Sequence, residues 1–567
     1  MTARLDQAPL RLLANVVEEW AGQTGAAPAL LSDTECFTYA DLAGRSRRYA
    51  RWALGEGLAK GDVVALMMSN RPEYMAAWLG LSRVGVVVAL INTNLRGDGL
   101  RHCLAVANPR HVILESGFAT LASNAPHTAA VWIHGQGEDA QAPRLDLALE
   151  GLTDAPLAEG EGPDVTLADP ALLIYTSGTT GLPKAARVSH HRVMSWSGWF
   201  AGILDARAED RLYDCLPMYH SVGGVVATGA LLIKGGSVVV RERFSASQFW
   251  SDVARWDCTL FQYIGELCRY LLAAPASPEE RRHRLRMVCG NGLRPEVWTA
   301  FQDRFAIPRI MEFYAATEGN FSLYNVEGEP GAIGRVPAFM AHRFPAAIVR
   351  FDPDTGAPER DADGRCVRCA RGEAGEAIGR ISAGDGDPAH RFEGYTSRAE
   401  TERKILRDVF APGDAWLRTG DLMRLDVRGF YYFVDRLGDT FRWKGENVAT
   451  TEVAEALTGA PGVIEACVYG VEVSGADGRA GMAALITDAD FDPAQLAAHL
   501  AERLPAYARP VFLRLVDRLA ATETFKQKKA DLVREGFDPW LAGGRVYVAQ
   551  GGGYRRLDSA LHGKILA

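Results

Sequence analysis

Apolar positions recur at helical spacing over residues 12–20, 38–54 and 72–84, and short β-rich runs occupy residues 63–68 and 85–92. Residues three and four apart share one face of a helix, whereas a short unbroken apolar run suits a buried strand. The alternation predicts an α/β architecture of layered sheets and helices. Periodicity weakens over residues 115–166, and the acidic, Gly- and Ala-rich stretch at 135–162 reads as a surface excursion. Residues 171–175 form a short apolar strand that enters a Gly/Thr/Ser loop, with a helix expected near Ser189. Strands are expected at 347–351 and 429–434. A polar break at 435–439 follows, then a helix (448–457), two strands (464–469 and 482–486) and a helix (493–504). That last run is a small α+β unit. The pattern therefore divides the chain into a large N-terminal domain, 1–435, and a small C-terminal domain, 436–567.

Composition narrows the picture. A chain of 567 residues is too long for one ordinary core, in keeping with two domains. A formal charge of −8, with both signs mixed along the chain, speaks against a nucleic-acid partner. The cysteines number nine and are scattered, which favours a reducing compartment over a disulfide framework. Cys366 and Cys369 form one CxxC without two further ligands nearby, so they read as surface or half-buried thiols rather than a zinc site. The N-terminal residues lack a secretory pattern, and the apolar runs are short of the roughly 20 residues of a spanning helix. The expected location is cytoplasmic, with surface contact to a membrane left open.

The strongest local signal is YTSGTTGLPK at residues 175–184. Glycines let backbone approach a phosphate closely. The hydroxyls of Thr176, Ser177, Thr179 and Thr180, exposed N–H groups at Gly178 and Gly181, and the Lys184 ammonium can all meet phosphate oxygens. It is not a Walker A loop, because Leu182 and Pro183 precede Lys184. His190 and His191, just downstream, read as surface residues at a helix entry.

With this loop go YAATEG (314–319), CGNGLRPEVW (289–298), TGD (419–421), DRLGD (435–439) and LPMYHS (216–221). Together and in this order they resemble the adenylate-forming superfamily of acyl-CoA synthetases, luciferases and peptide-synthetase adenylation domains. The resemblance implies that Tyr314 stacks on adenine beside Gly290, Asn291 and Gly292. It implies that Thr317 meets the α-phosphate, Glu318 holds Mg²⁺, and Asp421 and Arg436 contact the ribose. His220 would lie near the substrate carboxylate. Lys526 in TETFKQKK matches the C-terminal catalytic lysine, with Lys528 and Lys529 as neighbouring competitors. Gly445 would let coenzyme A pass the backbone, and Gly438 and Asp439 occupy the pivot of a small mobile domain.

The FKxxK ending, with FQYIGELCRYLL (261–272) and FRWKGENVATTEV (441–453), resembles the fatty-acid-transport-protein and very-long-chain acyl-CoA synthetase branch. The implied substrates are a fatty acid, ATP and coenzyme A. The implied acyl tunnel runs near Tyr219 and between Gly223, Gly224, Val225, Val226, Phe261 and Ile264, with the two glycines leaving room for the chain. No aspartate in 216–221 awaits a substrate ammonium, which argues against amino acids. Bile-acid-like or aromatic acids, and a non-catalytic role in lipid uptake, remain alternatives. A homodimer is compatible with the sequence, which does not fix the oligomeric state.

Overall fold

The structure is a computed structural model that describes residues 5, 7–126, 128–137, 142–176, 183–352, 355–382, 391–444, 446–474, 476, 478–521, 527–543 and 545–566. It is a mixed α/β fold with two compact units: residues 1–340 with 380–406, and residues 341–379 with 407–567.

The first unit holds two large sheets. One has six strands in the order Ala130–His134, His111–Glu115, Val63–Met67, Val87–Leu90, Pro170–Thr176, Lys184–Ser189. Its strands run parallel except the last pair, which is antiparallel. The other has eight strands, ordered Ser322–Asn325, Ile310–Ala315, Met287–Asn291, Leu260–Ile264, Arg211–Asp214, Ser237–Val240, Pro28–Leu31, Cys36–Thr38. Central strands such as Val87–Leu90 and Ser237–Val240 are buried along their whole length, because helices cover parallel sheets on both faces.

The local signals act as their chemistry requires. Thr38 caps the helix Tyr39–Gly55 by accepting the Asp41 N–H at 3.1 Å, and Asp41 reciprocates by accepting the Thr38 N–H at 2.9 Å. Ser189 caps the helix His190–Ile203 by accepting the Arg192 N–H. Pro72 opens the helix Pro72–Arg83 at a position where no N–H is needed.

Three expectations change. The stretch 135–162 is not wholly a surface excursion: the helix Leu145–Glu150 buries Leu145 and Leu149 completely, because apolar residues four apart share one helix face. His190 and His191 are buried, not superficial. The first turn of their helix packs inside the unit, where the ring of His190 meets the Ser82 carbonyl at 3.2 Å. Cys366 is buried, while Cys369 is half-buried.

In the second unit, the strands Ala346–Val349, Ala374–Arg380, Ala415–Leu425 and Phe430–Arg436 form one sheet. Residues 341–379 and 407–435 thereby group with the C-terminal part, whereas the polar break suggests a boundary at 435–439. A five-stranded sheet follows: Val463–Glu472, Arg479–Thr487, Phe512–Leu515, Val546–Gln550, Gly553–Arg556. The helices Thr450–Thr458 and Pro493–Arg503 contribute Val453, Leu457, Leu496 and Leu500 to its core. Among the described residues, no helix is long and apolar enough to cross a membrane.

Candidate active site

The strand Pro170–Thr176 ends its buried run at Thr176, and the antiparallel strand Lys184–Ser189 sets Lys184 opposite it. Ser177, Gly178, Thr179, Thr180 and Gly181 lie outside the described residues. Lys184 is ion-paired with Glu400, and its ammonium sits 5.8 Å from the ring centre of Tyr395. The cation expected on phosphate is therefore held by a carboxylate here.

Tyr395 joins these pieces. Arg187 N–H donates to the Gly394 carbonyl, and Thr396 N–H to the Ala185 carbonyl, both at 3.0 Å. The segment 394–396 is thus stitched along the strand Lys184–Ser189. The Tyr395 hydroxyl donates to Oε1 of Glu318 at 2.8 Å, and the Thr176 side chain hydrogen-bonds the same phenol. Burial, aided by the charge of Glu318, pushes the Tyr395 phenol far above its usual range, so it remains a neutral donor. Oε2 of Glu318 accepts no hydrogen bond from the described residues. A half-buried carboxylate with one oxygen fixed and the other open fits Mg²⁺, which binds one or two carboxylates together with substrate phosphates.

The turn that carries Glu318 is held by Arg192, 6% exposed. Its Nη1 donates to the carbonyls of Thr317 (3.0 Å) and Gly319 (3.1 Å), and its Nη2 to that of Arg391 (2.8 Å). Its Nε lies 3.5 Å from Glu393. Glu393 also accepts Ser189 N–H at 2.7 Å and Ser189 Oγ–H at 2.6 Å. One guanidinium therefore ties the helix His190–Ile203 to the turn 317–319 and to residues 391–393. Thr317 Oγ1 lies 3.0 Å from Ser221 Oγ, which links that turn to LPMYHS.

The segment 290–292 is fixed by Glu312. Its carboxylate accepts the N–H groups of Gly292 and Leu293, the latter at 3.1 Å, and the Tyr263 hydroxyl at 2.6 Å. Burial pushes the Glu312 carboxyl up to about 8, against the pull of these three donors. Gly290 lies against Tyr263: a Cβ there would come 2.3 Å from the Tyr263 carbonyl oxygen. Tyr314 is half-buried, its ring 5.8 Å from that of Phe321.

Asn70 anchors LPMYHS. Its Nδ2 donates to the Leu216 carbonyl at 2.8 Å, and its Oδ1 accepts Met218 N–H at 2.8 Å. His220 is half-buried with its ring 4.8 Å from the Tyr219 ring. The two glycines do not leave room for a chain. A Cβ on Gly224 would meet the Met218 carbonyl oxygen at 1.9 Å, and one on Gly223 the Pro217 oxygen at 2.7 Å. They let the π-helical turn Val222–Ala227 press on the backbone of 216–218. Phe261 is also core rather than tunnel wall. Its ring packs 4.6 Å from Phe249 and 6.1 Å from Tyr213, because strand alternation turns it away from the face of Leu260. Ile264, half-buried, ends that strand.

The remaining candidates belong to the second unit. Asp421 and Arg436 face each other across the strands Ala415–Leu425 and Phe430–Arg436, 3.5 Å apart. Gly438 has open space around its Cα, and Asp439 accepts from the Lys529 ammonium at 3.1 Å. Lys528 is exposed. Gly445 and Lys526 lie outside the described residues.

Tyr395, Arg192 and Glu393 carry no signal in the sequence, because each acts through tertiary hydrogen bonds. Glu312 alone is hinted at, as a charge inside an otherwise apolar strand two residues before Tyr314.

Known proteins resemble this chain over most of its length. The family model described as AMP-binding enzyme matches residues 17–367, and that of the AMP-binding enzyme C-terminal domain matches 452–526. Long-chain fatty acid transport protein 1 of Mus musculus is 42% identical over 541 residues, 94% of this chain and 83% of that protein. Long-chain fatty acid transport protein 2 of Rattus norvegicus is 40% identical over 95% of this chain and 88% of its own. Among solved structures, the anthranilate CoA ligase AuaEII with anthranoyl-AMP superposes with a TM-score of 0.78 at 21% identity, covering 92% of this chain and 97% of that one. ATP-bound MatB from Rhodopseudomonas palustris gives 0.76 at 25% identity, covering 92% and 98%.

Proposed function

Because the chain belongs to the AMP-binding enzyme family, in the branch of the long-chain fatty acid transport proteins, we propose that it joins long-chain fatty acids to coenzyme A through an acyl-adenylate. The observation that carries this reading is the convergence of Thr176, Glu318 and the Arg192-held turn 317–319 on Tyr395. A phosphate-loop residue and an open carboxylate share one phenol there: its hydroxyl donates to Glu318 and its oxygen accepts from Thr176.

In the first half-reaction the acid's carboxylate attacks the α-phosphorus of ATP, and pyrophosphate leaves. The work is positioning and charge stabilisation. The loop 176–184 holds the β- and γ-phosphates, Thr317 meets the α-phosphate, and Lys526 bridges carboxylate and α-phosphate. Glu318 would hold Mg²⁺, which would supply neutralising charge there. Tyr314 and the Glu312-pinned segment 290–292 take adenine, and Asp421 with Arg436 takes the ribose. The Lys184–Glu400 pair implies that ATP phosphates compete with Glu400 for this ammonium.

In the second half-reaction the thiolate of coenzyme A attacks the mixed anhydride and AMP leaves. Rotation about Gly438 and Asp439 withdraws Lys526 and brings in Gly445. The acyl chain lies beside Tyr219, His220 and Ile264, where each buried methylene contributes about 0.8 kcal/mol. A panel of acids scored for coenzyme-A-dependent AMP release tests the substrate class. Product from palmitate and oleate supports it; product from aromatic or steroid acids alone overturns it. A lipid-uptake role without catalysis requires that Lys526→Ala leave every effect intact.

A further inference from the structure

The segment 522–526 ends three residues before a second lysine with a defined place. Lys529 Nζ lies 3.1 Å from Asp439 Oδ2 and donates to Thr450 Oγ1 at 2.9 Å. Thr450 opens the helix Thr450–Thr458, and its hydroxyl passes the chain on, donating to Asp435 Oδ1 at 3.2 Å. The Thr450 N–H donates to the same carboxylate. Asp435 is buried next to the end of the strand Phe430–Arg436. An ammonium, a hydroxyl and two carboxylates thus bind the residues after 526 to the segment 435–439.

A second set of bonds holds the residues that flank 522–526. Ala521 pairs with Gln527 in an antiparallel bridge, and Lys528 N–H donates to the Ala520 carbonyl at 2.8 Å. Gln527 Nε2 donates to Glu465 Oε1 at 3.1 Å and to the Ala466 carbonyl at 3.0 Å, both on the strand Val463–Glu472. The chain is therefore held at Ala520 and Ala521 on one side of residues 522–526 and at Gln527, Lys528 and Lys529 on the other. The Lys529 and Asp439 side chains are 21% and 37% exposed, so their pair contributes little to global stability. What it constrains is geometry.

We propose that Lys529 is a positioning residue for adenylation: its ammonium, held by Asp439 and Thr450, locks the segment bearing Lys526 to the pivot segment 435–439. The inference rests on the roles proposed above for Lys526, Gly438 and Asp439. Tied to Asp439 at the pivot itself, the chain next to Lys526 is kept at a set distance from the point of rotation. Lys529 is thereby assigned to anchoring, and Lys526 keeps the catalytic role proposed above.

The two half-reactions are separable. Acid-dependent exchange of pyrophosphate into ATP reads the first, and thioester formation from supplied oleoyl-adenylate reads the second. Misplacing a reacting group by about 1 Å costs roughly 100-fold. Lys529→Met is therefore expected to lower kcat for exchange about 10- to 100-fold. KM for ATP and the second half-reaction should stay within about 3-fold, a change too small to signal a lost contact. Asp439→Asn should act in the same direction, the double variant should be no worse than Lys529→Met, and Lys529→Arg should restore part of the rate. Equal losses in both halves with a lowered melting temperature, strictly additive effects, or unchanged exchange would each overturn the proposal. Lys526→Ala retaining exchange that Lys529→Met abolishes would make Lys529 catalytic, and would also overturn it. Wild-type protein without exchange on any acid would instead remove the enzymatic reading beneath it.

Discussion

The hydroxyl of Tyr395 lies 2.8 Å from Oε1 of Glu318, and the same phenol meets the Thr176 side chain. The residues come from three distant parts of the chain. Hydrogen bonds to a charged group are worth about 1.5–3 kcal/mol. Tyr395→Phe removes this donor and keeps the ring, so it should lower kcat/KM for ATP roughly 10- to 100-fold. Acid-dependent pyrophosphate exchange measures this, and an unchanged melting temperature should accompany it.

Arg192 makes the opposite kind of contribution, chiefly to integrity. Removing one partner of a buried ion pair costs about 3–5 kcal/mol, because the other charge is left without compensation. Arg192→Met leaves Glu393 and the carbonyls of Thr317 and Gly319 short of their donor. Urea unfolding of the first unit's transition should show a loss of that order, with weaker ATP binding. Unchanged stability would mean that the turn 317–319 holds itself.

Much of this was legible in the sequence, and the reasons are local. The strands Pro170–Thr176 and Val63–Met67 and the helices Pro72–Arg83 and Pro493–Arg503 fall within a residue or two of where periodicity, caps and proline put them. Packing between elements was not legible. His190 and His191 look like exposed neighbours at a helix entry, yet both are buried, because neighbouring elements enclose that turn. Gly223 and Gly224 suggest space for a ligand, but backbone oxygens of Pro217 and Met218 fill it. Motif residues such as Glu318 can be read in order, whereas Tyr395, which aligns Glu318, sits in an undistinguished loop.

His190 supplies a pH dependence. Burial pushes its imidazole down to about 4, from 6.5. Above pH 6.5 the ring is neutral whether folded or unfolded, and the group adds no slope. Between pH 6.5 and about 4 the unfolded chain takes up a proton that the folded chain refuses, so stability falls as pH falls. The full effect is roughly 3 kcal/mol. His190→Asn should flatten the stability curve in that window, as followed by thermal unfolding at stepped pH.

Gly224→Ala tests the close approach at the π-helical turn. The added methyl would overlap the Met218 oxygen at 1.9 Å, and backbone must move to relieve it. Overpacking of this kind costs typically about 1–3 kcal/mol and occasionally more. Gly202→Ala, in the neighbouring helix with nothing within 4 Å, is the control and should be neutral or slightly stabilising. Melting temperatures of the two variants should separate clearly.

Adenylation itself is the most direct test of the proposed chemistry. Purified protein would be given ATP, Mg²⁺ and labelled pyrophosphate, with palmitate, oleate, benzoate or no acid, beside Lys526→Ala. Exchange that requires palmitate or oleate, and that falls to background in the folded Lys526→Ala variant, is the predicted result. Exchange absent with every acid, or undiminished in Lys526→Ala, would contradict it.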